Sequence, residues 1–194
     1  MSWLRTELWT AEVVYAGFGT PMLRGALAVQ GGFVVGQGSL EELRARFPQA
    51  EVVHKGLALL PPPVNAHTHL ELSHLGHLRT LGEKGFVTWI EAVVAARGTP
   101  PAEIRARASD AIAGLLASGT VAVGDTSNTL AHLDLLEASG LEATVFLEVL
   151  GWDPAQADEI LGWADRRLTE NGGRQTRVRL AAHGSHSVSP RLFE

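Results

Sequence analysis

The sequence predicts an α/β fold, with a short β-rich module over residues 1–56 and parallel strand–helix units over residues 57–194. Three observations carry this prediction. Before Gly56, short runs of β-type residues are broken by Gly and Pro. After it, apolar strand-like runs alternate with helical stretches, the pattern of parallel β/α units. In that second part, polar residues recur where strands end: His67 and His69, then Asp125 and Asn128, then Glu148, then His183 and His186.

In the first module, Leu8 to Val14, Ala26 to Val29 and Phe33 to Gly36 read as strands. Gly31-Gly32 between two apolar runs predicts a hairpin. Ser39 followed by Glu42 is a capping box and starts a short helix. In the second part, the first strand is expected over Leu57 to His67. Helices follow from Phe86 to Arg97 and from about Pro101 to Ser118, the latter closed by Gly119. The second strand spans Thr120 to Gly124, with a helix over about Leu130 to Ser139 closed by Gly140. The third strand is Ala143 to Leu150. Its helix runs from Pro154 to about Thr169, with Asp153 as N-cap and Pro154 in the first turn. The fourth strand is Arg177 to Ala182, and Ser189-Pro190 opens one more helical turn. Four parallel strands of this kind leave two open edges.

Composition narrows the function classes. Of the 194 residues, 45% are hydrophobic and 19% charged, enough to bury a core and too little charge for a disordered chain. A net charge of −5 without a basic run argues against a nucleic-acid partner. The absence of cysteine excludes disulfides and thiolate metal sites and is compatible with a reducing compartment. No apolar run is long enough to suggest a membrane span, and Met1 to Glu7 show no basic and apolar leader pattern, so a cytoplasmic setting is expected.

His67-Thr68-His69 is the most specific chemical signal. On a strand, alternate side chains share a face, so both imidazoles point one way. Two imidazoles converging at a strand end suit a divalent transition metal. The alternative is a pair of strand-end histidines satisfied by backbone groups. Glu71, two residues on, could face the same cavity, against a salt-bridged or exposed carboxylate. Asp125 could orient a ligand histidine. A reading in which Asp125 and Asn128 cap the following helix is slightly favoured. Ser73, His74 and His77 lie on a long loop from Ser73 to Gly85, the kind of segment that serves as a lid. His54 and His132 read as surface residues. Trp89, Ile90, Val93 and Val94 at helical spacing read as core or as a lid packing on the barrel mouth.

The segment from Pro61 to Ser73 (Pro61-Pro62-Pro63-Val64-Asn65-Ala66-His67-Thr68-His69-Leu70-Glu71-Leu72-Ser73) resembles the first barrel strand of the amidohydrolase superfamily. The resemblance extends to Val123-Gly124-Asp125-Thr126-Ser127-Asn128 and to Ala182 through Pro190. It is closest to the metal-dependent deaminase and chlorohydrolase branch, and the His67 and Val123 segments are most similar to aminodeoxyfutalosine deaminases of menaquinone biosynthesis. This resemblance implies the N-terminal half of a (β/α)8 TIM-type barrel, preceded by part of a small β-sandwich domain. It implies hydrolysis of a C–N bond by water activated on one divalent metal, zinc or iron, with His67 and His69 as metal ligands. His183, Glu71 and His186 would contact a small-molecule substrate; the alternatives are that His183 only holds the Ser187–Ser189 turn and that His186 only fills space. His186 stands where the family more often has Tyr, and Ala182 and Ser185 stand where it has Pro. The remaining ligands and the catalytic acid/base residues are expected beyond residue 194, so this chain alone is expected to bind metal weakly and to be inactive. Homodimerisation stays open. So do the rival readings: guanine deaminase, chlorohydrolase, imidazolone-ring hydrolase, or a truncated half-barrel without catalysis.

Overall fold

Thr6–Thr10 (β1) centres on Leu8, which is fully buried between half-buried neighbours. The structure, a computed structural model, describes residues 5–194, except the side chains of 79–84 and 97. It divides into two compact units, Met1–Pro62 and Pro63–Glu194.

In the first unit, β1 is followed by β2 (Val13–Val14), β3 (Met22–Leu23), β4 (Gly25–Gln30) and β5 (Phe33–Ser39). Then come α1 (Leu40–Arg46), β6 (Glu51–His54) and β7 (Ala58–Leu59). One sheet has the order β5-β4-β1-β6, the other β3-β2-β7. The expected hairpin joins β4 to β5, with Gly31 and Gly32 at φ 58° and 84°, the left-handed conformations such a two-residue turn needs. The capping box also forms: Ser39 Oγ accepts from the Glu42 amide, and Glu42 accepts from the Ser39 amide. Leu8, Ala26, Ala28 and Leu43 form the core.

The strand expected over Leu57 to His67 is two strands. Ala58–Leu59 pairs with Val13–Val14 in the first unit, whereas Val64–Thr68 (β8) belongs to the second. Pro61, Pro62 and Pro63 lie between them, and three residues without an N–H cannot continue a ladder.

From β8 the chain runs through a 3-10 segment (Leu70–Lys84), α2 (Phe86–Ala95), α3 (Pro101–Ala117) and β9 (Ala122–Ser127). It continues through α4 (Leu133–Ser139), β10 (Glu142–Val149), α5 (Ala157–Glu170), β11 (Arg177–Ala182) and α6 (Pro190–Phe193). The four strands are parallel in the order β11-β10-β9-β8. Sequential right-to-left order of parallel strands with intervening helices is the half-barrel that the sequence predicts. Val123, Val145, Leu147 and Val149 pack with Ile112, Leu133, Leu136, Ala157 and Ala164 of the helices. Alternation along the strands sends the intervening residues to the opposite face. Arg105 of α3 grips Asp134 of α4 through two hydrogen bonds of 2.8 and 2.7 Å, and these hold the Asp134 carboxyl down to about 2.

Three local expectations change. The α2 helix contributes no buried residue: Phe86 and Val87 are exposed and Trp89 is half-buried, so the Trp89 stripe is not core here. The segment after β8 is wound into 3-10 turns instead of an open loop, with His74 and His77 donating from Nδ1 to the carbonyls three residues before them. The helix after β9 starts at Leu133, not Leu130, because Leu130 sits at φ 58° and breaks the helical path. No helix among the described residues is long and apolar enough to cross a membrane.

Candidate metal half-site and the clasp behind it

The C-terminal end of β8 brings His67 and His69 together. Their ring centroids lie 5.1 Å apart at an interplanar angle of 76°. His67 is exposed and His69 half-buried. Among the described residues, no hydrogen bond engages a ring nitrogen of either, so the reading in which backbone groups satisfy them finds no support. The donor set fits a divalent transition metal as far as it goes. Two adjacent imidazoles are available, and a catalytic zinc site takes three protein ligands. Among the described residues, no third His, Asp or Glu joins them in a metal-binding group.

The β8 backbone is irregular here. Its pairing with β9 shifts register between Asn65 and Thr68. Such a bulge re-aims the side chains that follow it. Gly124 makes room for it: a Cβ there would lie 2.5 Å from the Ala66 carbonyl oxygen. Gly124→Ala is therefore expected to push β8 off β9 and to destabilise the second unit by about 1–3 kcal/mol. Urea denaturation checks this, and a variant as stable as the parent would show that the bulge does not depend on the missing side chain.

Behind the histidines, the segment Leu70–Glu71 and the end of β9 hold each other. Asp125 is fully buried; its Oδ1 accepts from the Leu70 amide at 2.8 Å and its Oδ2 accepts from His132 Nε2 at 2.7 Å. In return, Glu71 Oε2 accepts from the Ser127 hydroxyl (2.6 Å), the Thr129 hydroxyl (2.6 Å) and the Thr129 amide (3.1 Å). Glu71 Oε1 accepts from the Asn128 amide at 2.8 Å. Burial pushes the Glu71 carboxyl up, but these hydrogen bonds outweigh it and hold the group below its ordinary value.

This geometry corrects four assignments. Glu71 is neither salt-bridged nor exposed: it is 5% exposed, and four donors within the fold take up its acceptor capacity, which leaves little for a substrate. His132 is not a surface residue but is fully buried against Asp125. Asp125, whose oxygens are taken by Leu70 and His132, does not cap the helix that follows β9. Nor does Asn128, whose Nδ2 donates to the Glu148 carbonyl at 2.8 Å and lies 3.5 Å from Glu148 Oε2. Ser127, which the sequence reading passed over, caps the turn by accepting from the Leu130 amide at 2.8 Å. Its position two residues after an aspartate at a strand end was the available signal.

His183 follows β11, and its amide donates to the Val149 carbonyl. His183 Nδ1 lies 2.6 Å from Ser187 Oγ, and Ser187 Oγ donates to the Gly184 carbonyl at 3.2 Å. The ring thus braces the Gly184–Ser187 turn, and both His183 and His186 remain exposed. His186 packs edge-on to His183 with centroids 5.3 Å apart. The two histidine pairs stand at the C-terminal ends of β8 and β11, the two outer strands of the four-stranded sheet.

No protein-family profile matches the sequence. An aminodeoxyfutalosine deaminase of Deinococcus radiodurans is 34% identical over 195 aligned residues, covering 96% of this chain and 44% of the relative. The crystal structure of the Helicobacter pylori aminofutalosine deaminase in complex with methylthio-coformycin superposes with a TM-score of 0.76 at 25% identity, covering 96% of this chain and 46% of that one. The similarity is to the N-terminal half of the amidohydrolase deaminases. A mutant atrazine chlorohydrolase of Arthrobacter aurescens, complexed with zinc and atraton, shares the fold with a TM-score of 0.69 at 18% identity, covering 96% of this chain and 49% of that one. The chain thus spans about half the length of the amidohydrolases it matches.

Proposed function

We propose that this chain forms the first half of a metal-dependent hydrolytic deaminase acting on a purine-like nucleoside of the aminodeoxyfutalosine type. The observation that carries the reading is the pair of unengaged imidazoles at the end of the first barrel strand, in a chain whose D. radiodurans relative is named for that reaction. His67 and His69 would hold one divalent metal, zinc or iron. When bound, the metal supplies the Lewis acidity that activates water for attack on the ring carbon carrying the exocyclic amine. Ser187 Oγ takes up His183 Nδ1, which leaves Nε2 to hydrogen-bond the polar edge of the substrate. His186 sets the tilt of that ring from its edge. Glu71 serves the site at one remove, by holding the turn that carries Asn128. The further ligands and the acid/base residues would belong to the other half of the barrel.

The test is metal content and ammonia release from aminodeoxyfutalosine, measured on the protein at its natural length. About one zinc or iron per chain, with turnover, is expected. His67→Ala and His69→Ala are each expected to lower retained metal at least tenfold, since a ligand set of three or four does not survive the loss of one. Full metal retention in both variants would overturn the assignment. Turnover of guanine or a triazine with none of the futalosine would keep the fold and move the substrate to a neighbouring branch.

A further inference from the structure

We infer that His132 is a positioning residue for the metal half-site, acting through Asp125 on the backbone of His69. The inference rests on the metal reading above. The Leu70 amide belongs to the peptide directly after His69, and Asp125 Oδ1 holds it at 2.8 Å. The carbonyl of His69 accepts from the Leu72 amide at 2.9 Å. The peptide carrying His69 is therefore fixed on both its C=O and its N–H. Thr68 is the register partner of Asp125, so the same side chain spans the strand end on which both histidines stand.

Asp125 is in turn aimed by one group. His132 Nε2 donates to its other oxygen at 2.7 Å, and both side chains are fully buried. Among the described residues, His132 Nδ1 is buried with no hydrogen-bond partner. A histidine with one satisfied nitrogen is an expensive way to fill a core position, which an apolar residue would fill better. What it does provide is a directed N–H that locks the carboxylate's rotation. Two imidazoles can share a metal only if their lone pairs converge, and a small rotation of the His69 peptide would separate them. Partners that orient ligands from behind change metal affinity by about 10–100-fold.

The experiment uses the natural-length protein loaded with Co2+ and follows its d–d absorption and the rate of Co2+ loss to a chelator. His132→Phe, which keeps the ring volume and removes the donor, is expected to speed Co2+ loss about 10–100-fold and to alter the d–d band. His132→Gln, which restores an N–H toward Asp125, is expected to recover most of the parent behaviour. Leu136→Ala, at a fully buried position of α4 whose side chain makes no hydrogen bond to Asp125, is the control for general destabilisation. It is expected to lower the thermal midpoint and leave the Co2+ spectrum and off-rate unchanged. Equal effects from His132→Phe and Leu136→Ala, or a normal off-rate in His132→Phe, would overturn the positioning role. A parent protein that takes up no Co2+ would overturn the metal reading itself, and this inference with it.

Discussion

Asp125→Ala is expected to destabilise the second unit by about 2–6 kcal/mol, because it orphans two buried donors at about 1–3 kcal/mol each. The donors are the Leu70 amide and His132 Nε2, and Leu70, His132 and Asp125 are all buried. Asp125→Asn should be milder. Its carbonyl can still accept from Leu70, but its NH2 then faces the His132 nitrogen and forces the other tautomer. The order parent, Asn, Ala in urea midpoint is the expected result. Equal midpoints for Asn and Ala would mean that the Leu70 bond contributes nothing.

Glu71 is the second residue whose loss should be large, and its effect carries a pH signature. Glu71→Gln turns one acceptor into a donor against a carboxylate-shaped nest of four donors, at a cost of about 1–3 kcal/mol. Its carboxyl is held below the usual 4.5, so the unfolded chain binds the proton more readily than the folded one. The Glu71 contribution is therefore complete above the unfolded value and is lost as pH falls through the folded one. Glu42 and Asp134 are lowered too, so they add the same sign to the parent's acid limb. The difference between parent and Glu71→Gln isolates the one residue: it should be widest near neutral pH and shrink below about pH 4. A constant difference down to pH 2 would show that Glu71 is not held ionised by its neighbours.

What could be read from sequence was local. Gly31-Gly32, Ser39 with Glu42, and Asp153 with Pro154 act within a few residues, and each forms the turn or cap expected of it. His67 and His69 were legible because they stand two residues apart at a strand end, close enough for local chain geometry to pair them. The partners of Glu71, and the Leu70 amide that bonds Asp125, were not legible, because each pair lies 55 to 58 residues apart along the chain. His132 was misread for a related reason. Its ring bonds a carboxylate seven residues back, across a turn that opens at Ser127 and reverses at Leu130, where φ is positive. The proline run was visible, yet its effect was not drawn: an apolar run from Leu57 onward reads as one strand until the missing N–H groups are counted.

The two outer strands of the half-barrel differ in a way that matters for handling this chain by itself. Along β11, Arg177 and Arg179 are exposed, and charge of this kind repels a second copy that tries to add a strand. β8 has no such guard, since Val64 is 63% exposed and Ala66 and His67 are uncharged. A solution of the isolated chain should therefore self-associate through the β8 side. Lysine placed at Val64 should act as a gatekeeper and raise the concentration at which it stays dispersed.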